Sequence, residues 1–308
     1  MSRALKVTAV VGTILGAVLG TIGLLRNGPQ DLPSGNSGGK LRIVSVAPSV
    51  TEILFMLGMG DCLVGVTDHC DYPPEAKRIE QIGGFGKPTV EKLLALSPDL
   101  VVAAGFERSD LMEVLRTSGI RVVDVRIRNF EELFDAMREI ARAVNRSQKA
   151  EDLIAGMGAE LESIVAEHAA TPREQRPRVF VEIWDTPLTT AGANSFLDDV
   201  IERAGGFNVG REIPQPHPRI NPEKVIEWDP QVIVVAHMKR KGTTVRQQLS
   251  QRIGWANISA VRSEKIVNDI PPDLLLRPGP RLIEGVRILA SRLHQAQPDR
   301  NAATGNGG

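Results

Sequence analysis

Only two cysteines, Cys62 and Cys70, occur in 308 residues. They flank the strand-like run LVGVTD, where eight residues of extended chain span roughly 20–26 Å at about 3.3 Å per residue. A disulfide reaches only ~7 Å between α-carbons, so the two are read as unbonded to each other. Cysteine usage therefore fixes no redox compartment. Aromatic residues are also scarce, at 4% with a single tyrosine, which makes each one near a predicted loop worth locating. Charge of one sign is missing too: 37 basic residues balance 37 acidic ones. That removes the usual electrostatic ground for a nucleic-acid partner. No Gly-x-Ser-x-Gly elbow, Walker loop or dinucleotide fingerprint is present. GGFGKPT carries glycine and lysine without the Walker spacing, and it precedes rather than follows the elements a phosphate loop needs. No His/His/Glu/Asp set recurs at matching loop positions, which argues against a free divalent metal as ligand.

What is present is a phrase stated twice. Glu91-Lys92-Leu-Leu-Ala-Leu-Ser-Pro98-Asp-Leu-Val-Val102 reappears 132 residues later, from Glu91 to Glu223, as Glu223-Lys224-Val-Ile-Glu-Trp-Asp-Pro230-Gln-Val-Ile-Val234. Each copy predicts a short helix with an acidic residue in its first turn, stopped before proline and followed by a buried strand. Two copies in a chain long enough for two full cores predict two similar lobes.

The rest of the pattern places these copies. Val7 to Leu25 is an uncharged run between Lys6 and Arg26, and residues 1–26 are expected to be a secretory signal or a single membrane-spanning anchor. Either way the body is exported. Residues 27–40 (NGPQDLPSGNSGGK) read as a flexible linker reaching roughly 20 Å, and 295–308 as a disordered tail. Between them, strand and helix alternate. Leu41–Val46 is a predicted strand, with Ser49 and Glu52 forming a capping box for the helix after it. Residues 41–146 form the expected first α/β lobe and 178–294 the second. Residues 147–177 supply a long connecting helix and its link, on the helical spacing of Ala150, Leu153, Ile154, Met157, Leu161 and Ile164. The fold class is α/β: two lobes with parallel-sheet cores joined by one long helix. In such sheets ligands bind at the carboxyl ends of the strands.

RIVSVAPSVTEILFMLGMGDCLVGVTDHCDYPPEA (residues 42–76) and GGFGKPTVEKLLALSPDLVVA (83–103) carry a family resemblance. RVFVEIWDTPLTTAG, NPEKVIEWDPQVIVV and RPGPRLIEGV extend it into the second lobe. These runs resemble the periplasmic substrate-binding proteins for cobalamin and ferric siderophores, most closely the cobalamin-binding member, over about residues 41–293. The resemblance implies a two-lobe body that opens only slightly and works as a monomer, delivering cargo to an ATP-binding-cassette (ABC) importer. It implies that one glutamate per lobe, here Glu91 and Glu223, docks on the permease.

It also implies ligand contacts. Ala47 and Pro48 lie in the first strand–helix loop. His69 stands where the cobalamin binder has a tyrosine, and Phe85 where it has a tryptophan. Trp184 is near a family aromatic, and Asp269 with Arg277 approximates an aspartate–arginine pair at a longer spacing. A corrin, a broad apolar disc edged with amides, wants apolar walls and a few aimed donors. Phe85 and Trp184 would supply walls and Arg277 a donor. The expected ligand is cobalamin or a related corrinoid, with no covalent cofactor. Haem or a ferric siderophore on the same fold is the alternative, because Arg211, Arg219 and Arg277 could meet an anionic chelate. His69 has two readings: an axial ligand to the cargo's metal, or a hydrogen-bonding cleft residue. His217 and His237 lie at the same level. An enzyme on a two-lobe scaffold is the reading from another class, and no motif supports it.

Overall fold

Strand alternation explains most of the architecture. The computed structural model of the protein describes residues 39–84, 87–105, 109–237 and 245–294. Phe85, the hydrophobic run 7–25, most of the linker and the tail lie outside the described residues. The first half runs β1 (Ile43–Ser45), α1 (Pro48–Met56), β2 (Leu63–Val66), β3 (Gly83–Gly84), β4 (Lys87–Pro88), α2 (Val90–Ala95), β5 (Leu100–Ala104), α3 (Ser109–Thr117), β6 (Arg121–Val125) and α4 (Phe130–Ala143). Its main sheet is wholly parallel, in the order β2-β1-β5-β6. After α5 (Ser147–Ala166) come β7 (Arg178–Asp185), β8 (Leu188–Thr190), α6 (Phe196–Arg203), β9 (Phe207–Asn208), α7 (Pro222–Trp228), β10 (Val232–Val235), α8 (Val245–Ser250), α9 (Ser259–Arg262), β11 (Ile266–Val267), α10 (Asp273–Leu276) and α11 (Leu282–His294). The second sheet has the order β11-β10-β7-β8, with β9 beside the start of β7. It is parallel except for β7 with β8.

Successive strand residues point to opposite faces, and both faces of each sheet are buried. Leu100 and Val102 of β5, like Val232 and Val234 of β10, face one large core shared by both halves. Val101 and Ala103 face outward onto Leu93 of α2 and Leu111 and Leu115 of α3. Ile233 and Val235 face outward onto Val225 and Trp228 of α7 and onto Trp255. The shared core continues through α4, α5, α6 and α11. Helix α5 is one long helix between the two halves, burying Ala150, Ile154, Met157, Leu161 and Ile164 on one stripe. Twenty residues at about 1.5 Å each make it roughly 30 Å long.

The capping box is a correction. Helix α1 begins at Pro48, with Ala47 at the N-cap and no side-chain cap. Proline suits the first helical position because its missing N–H would have no helical partner there. Glu52 is therefore free of capping duty, and its carboxylate turns to the second half of the molecule.

Both duplicated segments form as predicted, and each is fastened by an arginine that the repeat itself does not contain. Arg42, just before β1, donates from Nε and Nη2 to the Leu96 carbonyl at the end of α2 (3.1 and 2.7 Å), and its backbone N–H donates to Asp99 Oδ2 at 2.9 Å. Arg178, opening β7, donates from Nη2 to the Trp228 carbonyl at the end of α7, and its backbone N–H to Gln231 Oε1 at 2.9 Å. Leu96 and Trp228 occupy the same place in the two copies, as do Asp99 and Gln231. The residues before the prolines, Ser97 and Asp229, are both left-handed, with φ of 43° and 39°.

Candidate ligand cleft

At the carboxyl end of β1 a buried polar knot fixes the first loop. Ser45 Oγ lies 2.7 Å from Thr51 Oγ1, which also donates to the Ala47 carbonyl at 3.1 Å. Cys70 Sγ sits 3.1 Å from both Thr51 Oγ1 and Thr67 Oγ1. Burial pushes the Cys70 thiol up, so it stays protonated and serves the knot rather than reacting. Both cysteines are free. The knot ties the loop after β2 to the start of α1 and so brings exposed His69 beside Ala47 and Pro48.

The second half supplies the facing wall. Ala47, Pro48, Ser49, His69 and Ala104 share a cavity of about 280 Å³ with Asp273, Leu276, Arg277 and Pro278. Four of the sequence-predicted ligand residues thus meet in one place. Arg277 Nη1 reaches across to Asp71 Oδ1 at 2.5 Å, and Nη2 lies 3.1 Å from Asp273 Oδ1. The Arg277 hydrogen bond holds the Asp71 carboxyl below its usual range. Four residues on, Arg281 donates to both oxygens of Glu52, at 2.7 and 3.1 Å. Its guanidinium lies 3.8 Å from the centroid of the Tyr72 ring. Burial raises the Glu52 carboxyl above its ordinary value despite that arginine. Gly279 lies between the two arginines. A Cβ there would stand 3.3 Å from Ser49 Cα, so RPGPR packs closely on the first turn of α1. A larger hollow, about 630 Å³, shares Glu52 and Arg281 in its wall with Tyr72, Met157 and Ile283. Among the described residues, none of the sequence-predicted ligand residues lines it.

Asp269 stands apart from the other predicted contacts. It lies outside the cavity wall and pairs with Arg292 of α11 at 2.7 Å. The aspartate paired with Arg277 within its own half is Asp273, one helical turn before it at i,i+4 spacing. Trp184 ends β7 with 56% exposure and donates from Nε1 to the Thr186 carbonyl at 3.0 Å. It does not line the 280 Å³ cavity. Two residues earlier, Glu182 is 1% exposed and accepts from Arg252 at 2.5 and 2.9 Å, with His237 Nε2 at 2.8 Å. Burial raises its pKa, but the His237 and Arg252 hydrogen bonds win and hold the carboxyl low. His237 is thus part of a structural ion cluster. Glu91 and Glu223 are both exposed in the first turns of α2 and α7. Among the described residues no group of three or more His, Cys, Asp or Glu could hold a metal ion.

Two α/β halves on a common core, with a cavity walled by residues from both, are the architecture of a solute-binding protein. A family model for periplasmic binding proteins matches residues 43–273, and the chain belongs to that family. It is 32% identical over 259 residues to YvrC of Bacillus subtilis, an uncharacterized ABC transporter substrate-binding lipoprotein, covering 82% of this chain and 80% of the relative. It is 30% identical over 255 residues to the vitamin B12-binding protein of Salmonella typhimurium, covering 82% and 90%. Among solved structures it is similar to the periplasmic haem-binding protein RhuT of Roseiflexus, with TM-score 0.73 and 27% identity over 83% of this chain and 98% of the other.

Proposed function

We propose that the protein captures cobalamin or a related corrinoid between its two halves, outside the cytoplasm, and delivers it to an ABC importer. The observation that carries this is the convergence of Ala47, Pro48, His69 and Arg277 on one cavity. Its walls are largely aliphatic, from Ala47, Pro48, Ala104, Leu276 and Pro278, with few polar groups, as a broad macrocycle requires. A whole corrinoid exceeds 280 Å³, so the cavity takes one edge or face of the disc. The likeness to the Salmonella vitamin B12-binding protein supports the same ligand.

Delivery assigns Glu91 and Glu223 to the permease, one from each half. A helix that leads back into a parallel strand starts toward the strand's carboxyl edge, so both glutamates belong on the ligand side of their sheets. The export signal or anchor expected at 7–25 fits this location, and so does the lipoprotein relative.

Haem is the second reading, favoured by the RhuT likeness and by an exposed imidazole, His69, in the cavity wall. Calorimetric titration of the full-length protein with cyanocobalamin, cobinamide, haem and a ferric siderophore separates the readings. Submicromolar corrinoid binding is expected. Tight binding of haem or the siderophore with no heat from corrinoids would overturn the proposal. If haem binds, a His69→Ala change that leaves its absorption spectrum unchanged would remove His69 as the iron ligand.

A further inference from the structure

Arg277 is the one arginine or lysine among the described residues lining the 280 Å³ cavity, and its charge is already matched twice. Asp71 from the first half holds Nη1 at 2.5 Å, and Asp273 from its own half holds Nη2 at 3.1 Å. The neighbouring cation offers no relief, because Arg281 is committed to Glu52 and the Tyr72 ring. A guanidinium carries five N–H donors. Two carboxylates satisfy its charge without using all of them.

We propose that Asp71 is a specificity-determining residue: by neutralising Arg277 across the cleft, it makes this end of the site accept neutral carbonyl groups such as amides and turn away carboxylates. The inference deepens the reading of this cavity as the ligand site and rests on it. An amide carbonyl can take a remaining N–H of Arg277 with no charge penalty. A ligand carboxylate would be the third anion on one guanidinium, and like charges brought together at a contact are costly. The Asp71 backbone is anchored next to Cys70, which is buried in the threonine knot. Since Asp71 and Arg277 lie in different halves, the selection acts where the halves meet around the ligand. Asp71 is itself partly exposed, so the discrimination should weaken as salt is raised.

The test uses matched macrocycles: dicyanocobinamide, edged with amides, and dicyanocobyrinic acid, the same corrin edged with carboxylates. Wild-type full-length protein should favour the amide form by at least roughly tenfold. Asp71→Asn should shrink that ratio by roughly tenfold, mainly by tightening the carboxylate form, and Asp71→Glu should restore it. An unchanged ratio in Asp71→Asn protein with a wild-type circular-dichroism melt overturns the proposal. If that variant does not fold, Asp273→Asn removes the other matching carboxylate and must narrow the ratio in the same direction. If no variant binds a corrinoid, the corrinoid reading fails separately, and haem against its dimethyl ester asks the same question. Wild type should then favour the ester, and Asp71→Asn should erode that preference. Equal preference in both proteins would overturn the selectivity role.

Discussion

Set side by side, the two halves repeat their scaffold and not their chemistry. Each has, at or just before its first strand, an arginine that closes the end of the duplicated helix, Arg42 on α2 and Arg178 on α7. Each seats an apolar residue at the matching place of that helix against the outer sheet face, Leu93 in the first copy and Val225 in the second. Each leaves a first-turn glutamate in water. The likeness ends at the carboxyl edge. Ile43 and Val179 pair with equivalent residues of the two copies, Leu100 and Val232. Counting three residues on puts Val46 of the first half opposite Glu182 of the second. Val46 is a buried apolar residue, whereas Glu182 is a buried anion held by Arg252 and His237. Repetition therefore marks what holds the lobes in shape, and departures from it mark where each edge was given its own task.

Erasing that departure should produce the largest effect. Glu182→Val makes the second edge resemble the first but strands Arg252 and His237. Breaking a buried pair on one side costs about 3–5 kcal/mol, and the lower end applies because Arg252 keeps 25% exposure. Urea unfolding should show a loss of about 3 kcal/mol, and adding Arg252→Met should recover most of it. Recovery is expected because a buried ion pair can be exchanged for apolar packing at little cost. No loss in the single variant would mean the cluster is not coupled to the fold.

Acid should separate Glu182 from Glu52, the buried carboxylate between the halves. The folded pKa of Glu182 is depressed, so its ionisation stabilises the protein above the unfolded value of 4.5. That stability is lost as pH falls through the folded pKa. For Glu52 the folded pKa is raised, so ionising it costs stability at neutral pH, and the cost disappears as pH falls from above 4.5 to below it. Relative to Glu182→Gln protein, wild type should lose stability on acidification. Relative to Glu52→Gln protein, it should gain. Urea midpoints measured across pH 7 to roughly 3.5 check both signs, and parallel curves would refute the contrast.

If the exposed glutamates act as a matched pair, reversing either should hurt transport and reversing both should hurt more. Glu91→Arg and Glu223→Arg together should lower ligand uptake by roughly tenfold or more, with intermediate single effects and unchanged ligand affinity. Uptake by cells carrying the cognate importer, beside calorimetry on the purified variants, makes the measurement. A deficit from one lobe alone would break the symmetry argument.

The sequence made the scaffold legible because the scaffold is periodic. Strand alternation, the stripe on α5 and the doubled Glu-Lys phrase each repeat a physical constraint many times over. β5 and β10 fall where the doubled phrase puts them. The cleft was legible only in part. Ala47, Pro48 and His69 follow strand ends that periodicity locates, whereas the partner of Arg277 depends on α10, a single turn too short for a periodic signal. The resemblance pointed to Asp269, whereas the aspartate one helical turn before Arg277 and paired with it is Asp273. The Glu52–Arg281 and Asp71–Arg277 pairs join residues more than 200 positions apart, and no local pattern could announce them. The Ser49–Glu52 spacing even suggested a cap that Pro48 forestalls.

The smallest effect tests the repeated clamp itself. Arg42 and Arg178 each satisfy carbonyls left open at a helix end, with partners at matching places in the two copies. Arg42 works near the surface, where water can replace it, and it also donates from Nε to the Ser97 carbonyl at 3.3 Å. Arg178 donates to Trp228, whose ring is buried in the outer core of the second half. Truncation should therefore cost about 1 kcal/mol at Arg42 and somewhat more at Arg178. Hydrogen exchange should localise each loss to its own copy, raising the exchange of α2 amides in Arg42→Ala and of α7 amides in Arg178→Ala. Each variant should leave the other helix untouched. If either substitution loosened both helices, the two clamps would be coupled through the shared core rather than serving their halves separately.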